Sequence, residues 1–118
     1  MEQIQIDVLS SLGVNLEEVL DRFVQNEALY FKCLGKFVDE TNYDELLSGI
    51  SNNDPKACFE AAHAIKGVTA NLGLMKLNNE IAVIVEVFRV GSMDFDPGNL
   101  QRIKECYSEA VDAIKSII

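Results

Sequence analysis

Apolar residues recur at intervals of three or four positions along most of this chain, the spacing of one face of an α-helix. Glycine and proline are sparse and fall in short polar segments between the periodic stretches. Asp54-Pro55 and Asp96-Pro97 each pair an N-cap with proline at the first helical position. Short connections between amphipathic helices favour antiparallel neighbours. The sequence therefore predicts an all-α fold, an antiparallel up-down helical bundle with an extra short N-terminal helix.

The bounds of the predicted helices follow from the same periodicity. At the start of the second helix, Asn15 and Glu18 resemble a capping box, and Thr41 or Asn42 can cap the fourth. In chain order the helices run over 3–11, from 16 to a break near 26, from that break to about 39, from 41 or 42 to about 50, from 55 to about 72, from 74 to about 90, and from 97 onward.

Length, composition and charge narrow the class of protein. With 118 residues, 48% of them apolar and 25% charged, the chain is expected to form one globular domain over 1–118. A net charge of −9 argues against a nucleic acid or an anionic membrane as partner, because both bind basic surfaces. Residues 1–12 show no signal peptide, and no apolar run approaches the length of a membrane span. We therefore expect a cytoplasmic protein.

The three cysteines are odd in number and far apart, and none forms a Cys-x-x-Cys pair. Their spacing supports neither a disulfide framework nor a zinc site. Each lies in a predicted helix among apolar residues, so Cys33, Cys58 and Cys106 are predicted to be small buried side chains in a reducing compartment.

His63 is the only histidine, and it lies in a stretch predicted to be helical. A helical wheel places Lys66, Gly67 and Ala70 on the same side of the helix as His63. This side is predicted to be a solvent-facing patch suited to transient capture of an anionic group. The opposite side is predicted to be an apolar stripe facing the core, formed by Cys58, Ala61, Ile65, Val68 and Leu72.

The residues of this patch suit phosphoryl chemistry. Near pH 7 an imidazole offers a nucleophilic ring nitrogen without needing a base, and Lys66 can offset the charge of an incoming phosphoryl group. Gly67 costs roughly 0.5–1 kcal/mol relative to alanine within a helix. Because Gly67 has no Cβ, it leaves space in which another protein's active site can close over the imidazole.

Three neighbours are predicted to form the partner interface. Ala64 and Ala70 keep the surface low, and Phe59, one turn before His63, is predicted to be an exposed apolar contact. Other interpretations stay open: Gly67 can mark close helix packing, Phe59 can tuck into the core, and His63 can be an ordinary surface histidine.

The stretch His63-Ala64-Ile65-Lys66-Gly67, followed by Leu72-Gly73 and Leu77, resembles the signature of histidine-containing phosphotransfer (HPt) domains. Two differences stand out. Val85 occupies a position where the family often has Glu. Val68 and Thr69 are bulkier than the small residues that many members have after the glycine, and we expect this difference to affect packing and not transfer. Further similarity lies upstream in Leu20, Arg22, Phe23, Glu27, Leu29, Tyr30, Leu34 and Phe37, and downstream in Arg89 and Gly91.

The resemblance implies an antiparallel up-down four-helix bundle, to which the short N-terminal helix is extra, and a phosphorelay function. His63 would accept a phosphoryl group from a receiver-domain aspartate, within a hybrid histidine kinase for example, and pass it to another response regulator. The Mg²⁺ needed for transfer would belong to the receiver, so no cofactor is expected here. The chain would be a monomeric carrier without catalytic turnover, and it looks like a free-standing domain.

Two rival functions remain open at this stage. One is a docking module that binds receiver domains through Phe59, Gly67 and Ala70 while His63 is never phosphorylated. The other is an enzyme or metal-binding bundle, for which Glu60 and His63 supply one Glu-x-x-His pair. Such bundles use a second pair on a facing helix, and the chain contains no second histidine.

Overall fold

The computed structural model describes residues 1–118 and is entirely helical, as predicted. The predicted bounds agree with it to within a few residues, including those of the short N-terminal helix. The seven helices are α1 (Gln3–Ser11), α2 (Leu16–Arg22), α3 (Glu27–Asp39), α4 (Asn42–Ser51), α5 (Pro55–Leu72), α6 (Met75–Arg89) and α7 (Pro97–Lys115). None of them is both long enough and apolar enough to cross a membrane.

Side-chain caps fix where several helices begin. The Asp54 carboxylate accepts a hydrogen bond from the Ala57 amide at 3.1 Å, and Asp96 accepts one from the Gly98 amide at 3.0 Å. Asn15 accepts from the Glu18 amide, but the Glu18 carboxylate pairs with Arg22 instead of returning a bond to Asn15. The predicted capping box is therefore only half formed. These caps satisfy amide groups that a helix start leaves without a partner.

Helix α5 is the centre of the packing. It lies between α4 and α6 and also contacts α3, while α7 packs against both α6 and α3. The two N-terminal helices are peripheral, with α1 contacting α7 and α2. Because its neighbours cover only part of its circumference, α5 keeps one face in solvent, and that face carries His63.

The buried side of α5 differs in part from the predicted stripe. Cys58, Ala61, Ile65 and Leu72 are buried as expected. Val68 is half-buried and packs against the core at its edge, while Ala62 and Thr69 are buried in addition. Packing against helices on both sides widens the covered arc beyond the stripe that one wheel suggests.

The cysteines also depart from expectation. All three are free thiols, but Cys33 and Cys106 are half-buried, and only Cys58 is fully covered. Cys58 lies where α4 and α5 approach closely: a Cβ added to Gly49 would lie 3.0 Å from the Cys58 sulfur and 3.1 Å from its backbone nitrogen. Glycine at position 49 therefore permits this helix contact.

Helix α5 ends at a residue that only glycine fits. Gly73 has a φ of +76°, and a Cβ there would lie 2.6 Å from Val19 Cγ2. The Tyr30 hydroxyl donates to the Leu72 carbonyl at 2.8 Å, and the Arg22 guanidinium donates to the Asn71 carbonyl at 2.6 Å. These contacts fix the length and the end of the helix that carries His63.

Candidate functional site

His63 is the ninth of the 18 residues of α5, and its imidazole is exposed to solvent. The Asp54 cap and Gly73 define the two ends of the helix, so the histidine lies more than two turns from either one. Gly67 and Ala70 are also exposed, as predicted, while Ala64 and Lys66 are half-buried. The sequence thus placed the exposed face of α5 correctly around His63.

Gly67 lies in open space. A Cβ added at this position would meet no atom within 4 Å. The interpretation that Gly67 marks close packing between helices of this chain is therefore wrong. The surface one turn after His63 is low because the residue there has no side chain, and no other part of the chain fills the gap.

Phe59 is not the exposed contact that was predicted. It is half-buried and packs against the core, and its ring stacks on the His63 imidazole, with ring centres 5.3 Å apart and planes 20° apart. The same ring is contacted by Arg89, whose guanidinium carbon lies 5.0 Å from the ring centre. Arg89 is in turn paired with Glu86 at 3.0 Å. The histidine therefore has an aromatic neighbour on its own helix, and a cation from α6 contacts that neighbour.

Asn78 of α6 belongs to the site, but its role was not predicted from the sequence. Its buried side-chain amide donates to the Lys66 carbonyl at 2.9 Å and to the Thr69 hydroxyl oxygen at 3.1 Å. The Thr69 hydroxyl donates to the Ile65 carbonyl at 2.8 Å. This network ties α6 to the turn that follows His63. The sequence did contain a signal for this role: Asn78 lies next to Leu77 in the apolar stripe of α6, and a buried side-chain amide requires hydrogen-bond partners.

The charges around His63 are mixed. Lys66 follows His63 by three residues, Arg89 contacts the Phe59 ring, and Glu60 and Glu86 are exposed carboxylates on α5 and α6. Val85, the residue that departs from the family pattern, is fully buried and belongs to the core. The structure contains no group of three or more His, Cys, Asp or Glu residues placed to hold a metal ion, and the Glu60–His63 pair gains no third member.

Burial shifts the pKa of a tyrosine at the end of α5. Removal from water raises the pKa of the Tyr30 hydroxyl well above its usual value, and the positive charge of Arg22 offsets a smaller part of that rise. The hydroxyl stays protonated and donates to the Leu72 carbonyl. Tyr30 therefore acts in the structure as a hydrogen-bond donor that helps to fix the end of α5.

Comparison with known proteins identifies the family. Residues 7–113 of the 118 match the family model described as the Hpt domain. No curated protein and no solved structure matches the chain. The matched region begins in α1, ends in α7 and includes the whole of α5, α6 and the exposed histidine. The chain belongs to the Hpt domain family.

Proposed function

We propose that this chain is a phosphohistidine carrier in a phosphorelay and that His63 is the residue that carries the phosphoryl group. Hpt domains act in phosphorelays as histidine phosphotransfer carriers that interact with receiver domains, and they are not enzymes in their own right. One observation supports the assignment most: the only histidine is exposed in the middle of α5, beside a glycine with open space above it.

The proposed reaction is a reversible phosphoryl transfer. A lone pair on one His63 ring nitrogen attacks the phosphorus of a receiver's aspartyl phosphate. The new N–P bond forms as the acyl O–P bond breaks, and the bonding electron pair leaves with the aspartate carboxylate. The proton on the other ring nitrogen is not needed for this step. Transfer to a second response regulator follows the same path in reverse.

Lys66 is proposed to offset the charge of the phosphoryl group. It follows His63 by three residues, so both side chains leave the same side of α5, and Lys66 is half-buried. A flexible lysine acts as a mobile point charge and does not demand a fixed geometry. Such a group can follow the phosphoryl oxygens as they arrive and leave.

The partner interface is proposed to surround His63 on α5. Gly67 gives access to the imidazole, and Ala64 and Ala70 add little height to the surface on either side. The receiver would bring its own Mg²⁺ and acidic pocket. Phe59 is assigned to this interface only at its exposed edge, because most of its ring is engaged within the chain.

The wider setting is part of the same proposal. We propose that residues 1–118 act as one monomeric domain whose bundle consists of α3 with α4, then α5, α6 and α7, in antiparallel order. The contacts of α5 with α4 and α6, and of α7 with α6 and α3, support this arrangement. Receiver domains, including that of a hybrid histidine kinase, are the proposed partners. Three free thiols suit a reducing compartment such as the cytoplasm.

A direct phosphorylation experiment tests the proposal. The wild type and a His63→Gln variant are incubated with phosphoramidate, a small phosphoryl donor, and the bound phosphate is tested for stability in acid and base. Phosphate that is acid-labile, base-stable and present only on the wild type is the expected result. Because His63→Gln removes the only histidine, phosphate on the variant would contradict the assignment. Wild-type protein that stays unlabelled with phosphoramidate and with phosphorylated receivers, yet binds receivers, would favour the docking module.

A further inference from the structure

The Phe59 ring contacts both His63 and Arg89. It lies nearly parallel to the imidazole, with ring centres 5.3 Å apart, and the Arg89 guanidinium carbon lies 5.0 Å from the phenyl centre. His63 and Phe59 belong to α5, whereas Arg89 is the last residue of α6. The phenyl ring therefore links an exposed imidazole to a neighbouring helix.

This arrangement restricts a side chain that would otherwise move. An exposed side chain in a helix samples several rotamers, and nothing else described around His63 fixes its ring. Stacking on an aromatic ring and a cation over that ring are each favourable interactions. Phe59 is itself held by the core on its buried side, and Arg89 forms an exposed ion pair with Glu86 of the same helix at 3.0 Å. The surface on which the imidazole rests is thus fixed from two helices.

We propose that Phe59 and Arg89 are positioning residues for His63, the cation–π pair that they form holding the imidazole in one orientation for phosphoryl transfer. This inference rests on the proposed function of His63. Transfer requires a ring nitrogen to line up with the phosphorus and the leaving oxygen, and a ring already oriented avoids part of that cost. Arg89 acts through Phe59 and does not contact the phosphoryl group.

The orientation is tested first by NMR on the unphosphorylated full chain. Since the chain has one histidine, its two carbon-bound ring protons are assigned without ambiguity. A parallel phenyl ring shifts them upfield, and this shift is expected to disappear in Phe59→Leu and to diminish in Arg89→Gln. Phe95→Leu is the matched control, because Phe95 is also half-buried but packs against Phe88 and not His63.

The role in transfer is tested by the rate of phosphorylation with phosphoramidate. Phe59→Leu and Arg89→Gln are each expected to slow it by about two- to tenfold, the range that one aromatic or cation–π contact supplies. The double variant is expected to be no slower than Phe59→Leu, because Arg89 acts through that ring. Arg102→Gln on α7 is the control: it changes the net charge equally and also breaks an ion pair of 3.0 Å, with Glu80 of α6.

The possible outcomes separate this inference from the proposed function. Wild-type labelling with unchanged rates in both single variants overturns the positioning role alone, as does a wild type without the upfield shift. If the reductions in phosphorylation rate of the two single variants multiply in the double variant, the positioning role is also overturned, because Arg89 would then act independently of Phe59. A wild type that takes up no phosphate overturns the proposed function, and the positioning role with it. If Phe59→Leu fails to fold, Arg89→Gln tests the positioning role alone, because Arg89 lies at the exposed end of α6. Its phosphorylation rate and the chemical shift of the His63 ring protons are then the two readouts.

Discussion

Two replacements of Gly67 have different expected effects. A small side chain is expected to stabilise the fold, and a long one is expected to close the site to partners. A Cβ at position 67 meets no atom within 4 Å, so Gly67→Ala introduces no clash. Within a helix, alanine is favoured over glycine by about 0.8–1.0 kcal/mol. Unfolding entropy near 2.1 cal/mol/K per residue gives about 0.25 kcal/mol/K for a chain of 118 residues. The Tm of Gly67→Ala is therefore expected to rise by about 4 °C.

Gly49→Ala is the matched control, because it makes the same chemical change in a crowded place. Its Cβ would lie 3.0 Å from the Cys58 sulfur and 3.1 Å from the Cys58 backbone nitrogen. Overpacking of this kind costs about 1–3 kcal/mol, which meets or exceeds the gain in helix propensity. Its Tm is expected to fall below that of the wild type. Differential scanning calorimetry on the three proteins measures both changes.

The functional half of the prediction uses Gly67→Arg. Arginine is nearly as good a helix former as alanine, so the fold is expected to remain at least as stable as the wild type. Its long side chain would fill the open space beside the imidazole. Labelling by phosphoramidate is expected to continue, whereas transfer from a phosphorylated receiver domain is expected to be lost. A lower Tm in Gly67→Ala, or normal transfer from a receiver to Gly67→Arg, would refute the reasoning.

Three further changes have expected outcomes. His63→Gln is expected to lose phosphoryl acceptance but keep its helix content by circular dichroism, because the imidazole is exposed; loss of fold would contradict the placement. Asn78→Ala removes two hydrogen bonds and leaves the Thr69 hydroxyl with fewer partners, so we expect a loss of about 2 kcal/mol, or about 8 °C in Tm. Burial raises the pKa of Tyr30 in the folded state, so its contribution to folding stability is complete well below pH 10, the usual pKa of an unfolded tyrosine, and falls as the pH rises past that value. Urea unfolding at pH 8–11 is expected to show a shallower decline in Tyr30→Phe, and an identical decline would refute the linkage.

The elements predicted correctly from the sequence are those set by local signals. Asp54-Pro55 and Asp96-Pro97 marked helix starts because the cap and the proline act within one turn of the backbone. The exposed face of α5 followed from the periodicity of a single helix, which placed His63 and Gly67 together. Such information depends only on residues that are close in the chain.

What the sequence did not reveal depends on contacts between helices. A wheel gives the direction of a side chain around its own axis and says nothing about what lies opposite. Phe59 was predicted to be exposed because its contact with Arg89, 30 residues later, leaves no local trace. The bond from Asn78 to the Lys66 carbonyl was missed for the same reason. Half-burial of Val68 likewise depends on how widely the neighbouring helices cover α5.

The bond from the Asn78 amide to the Lys66 carbonyl is also expected to limit local opening in the middle of α5. Functional residues often lie in loops, which unfold locally at little cost in free energy. His63 instead lies nine residues into a helix of 18, one turn before a carbonyl that α6 holds. Fraying from either end of α5 does not reach it. Amide hydrogens around His63 are therefore expected to exchange with solvent about as slowly as global unfolding allows, so a partner meets a surface whose shape is set before it arrives.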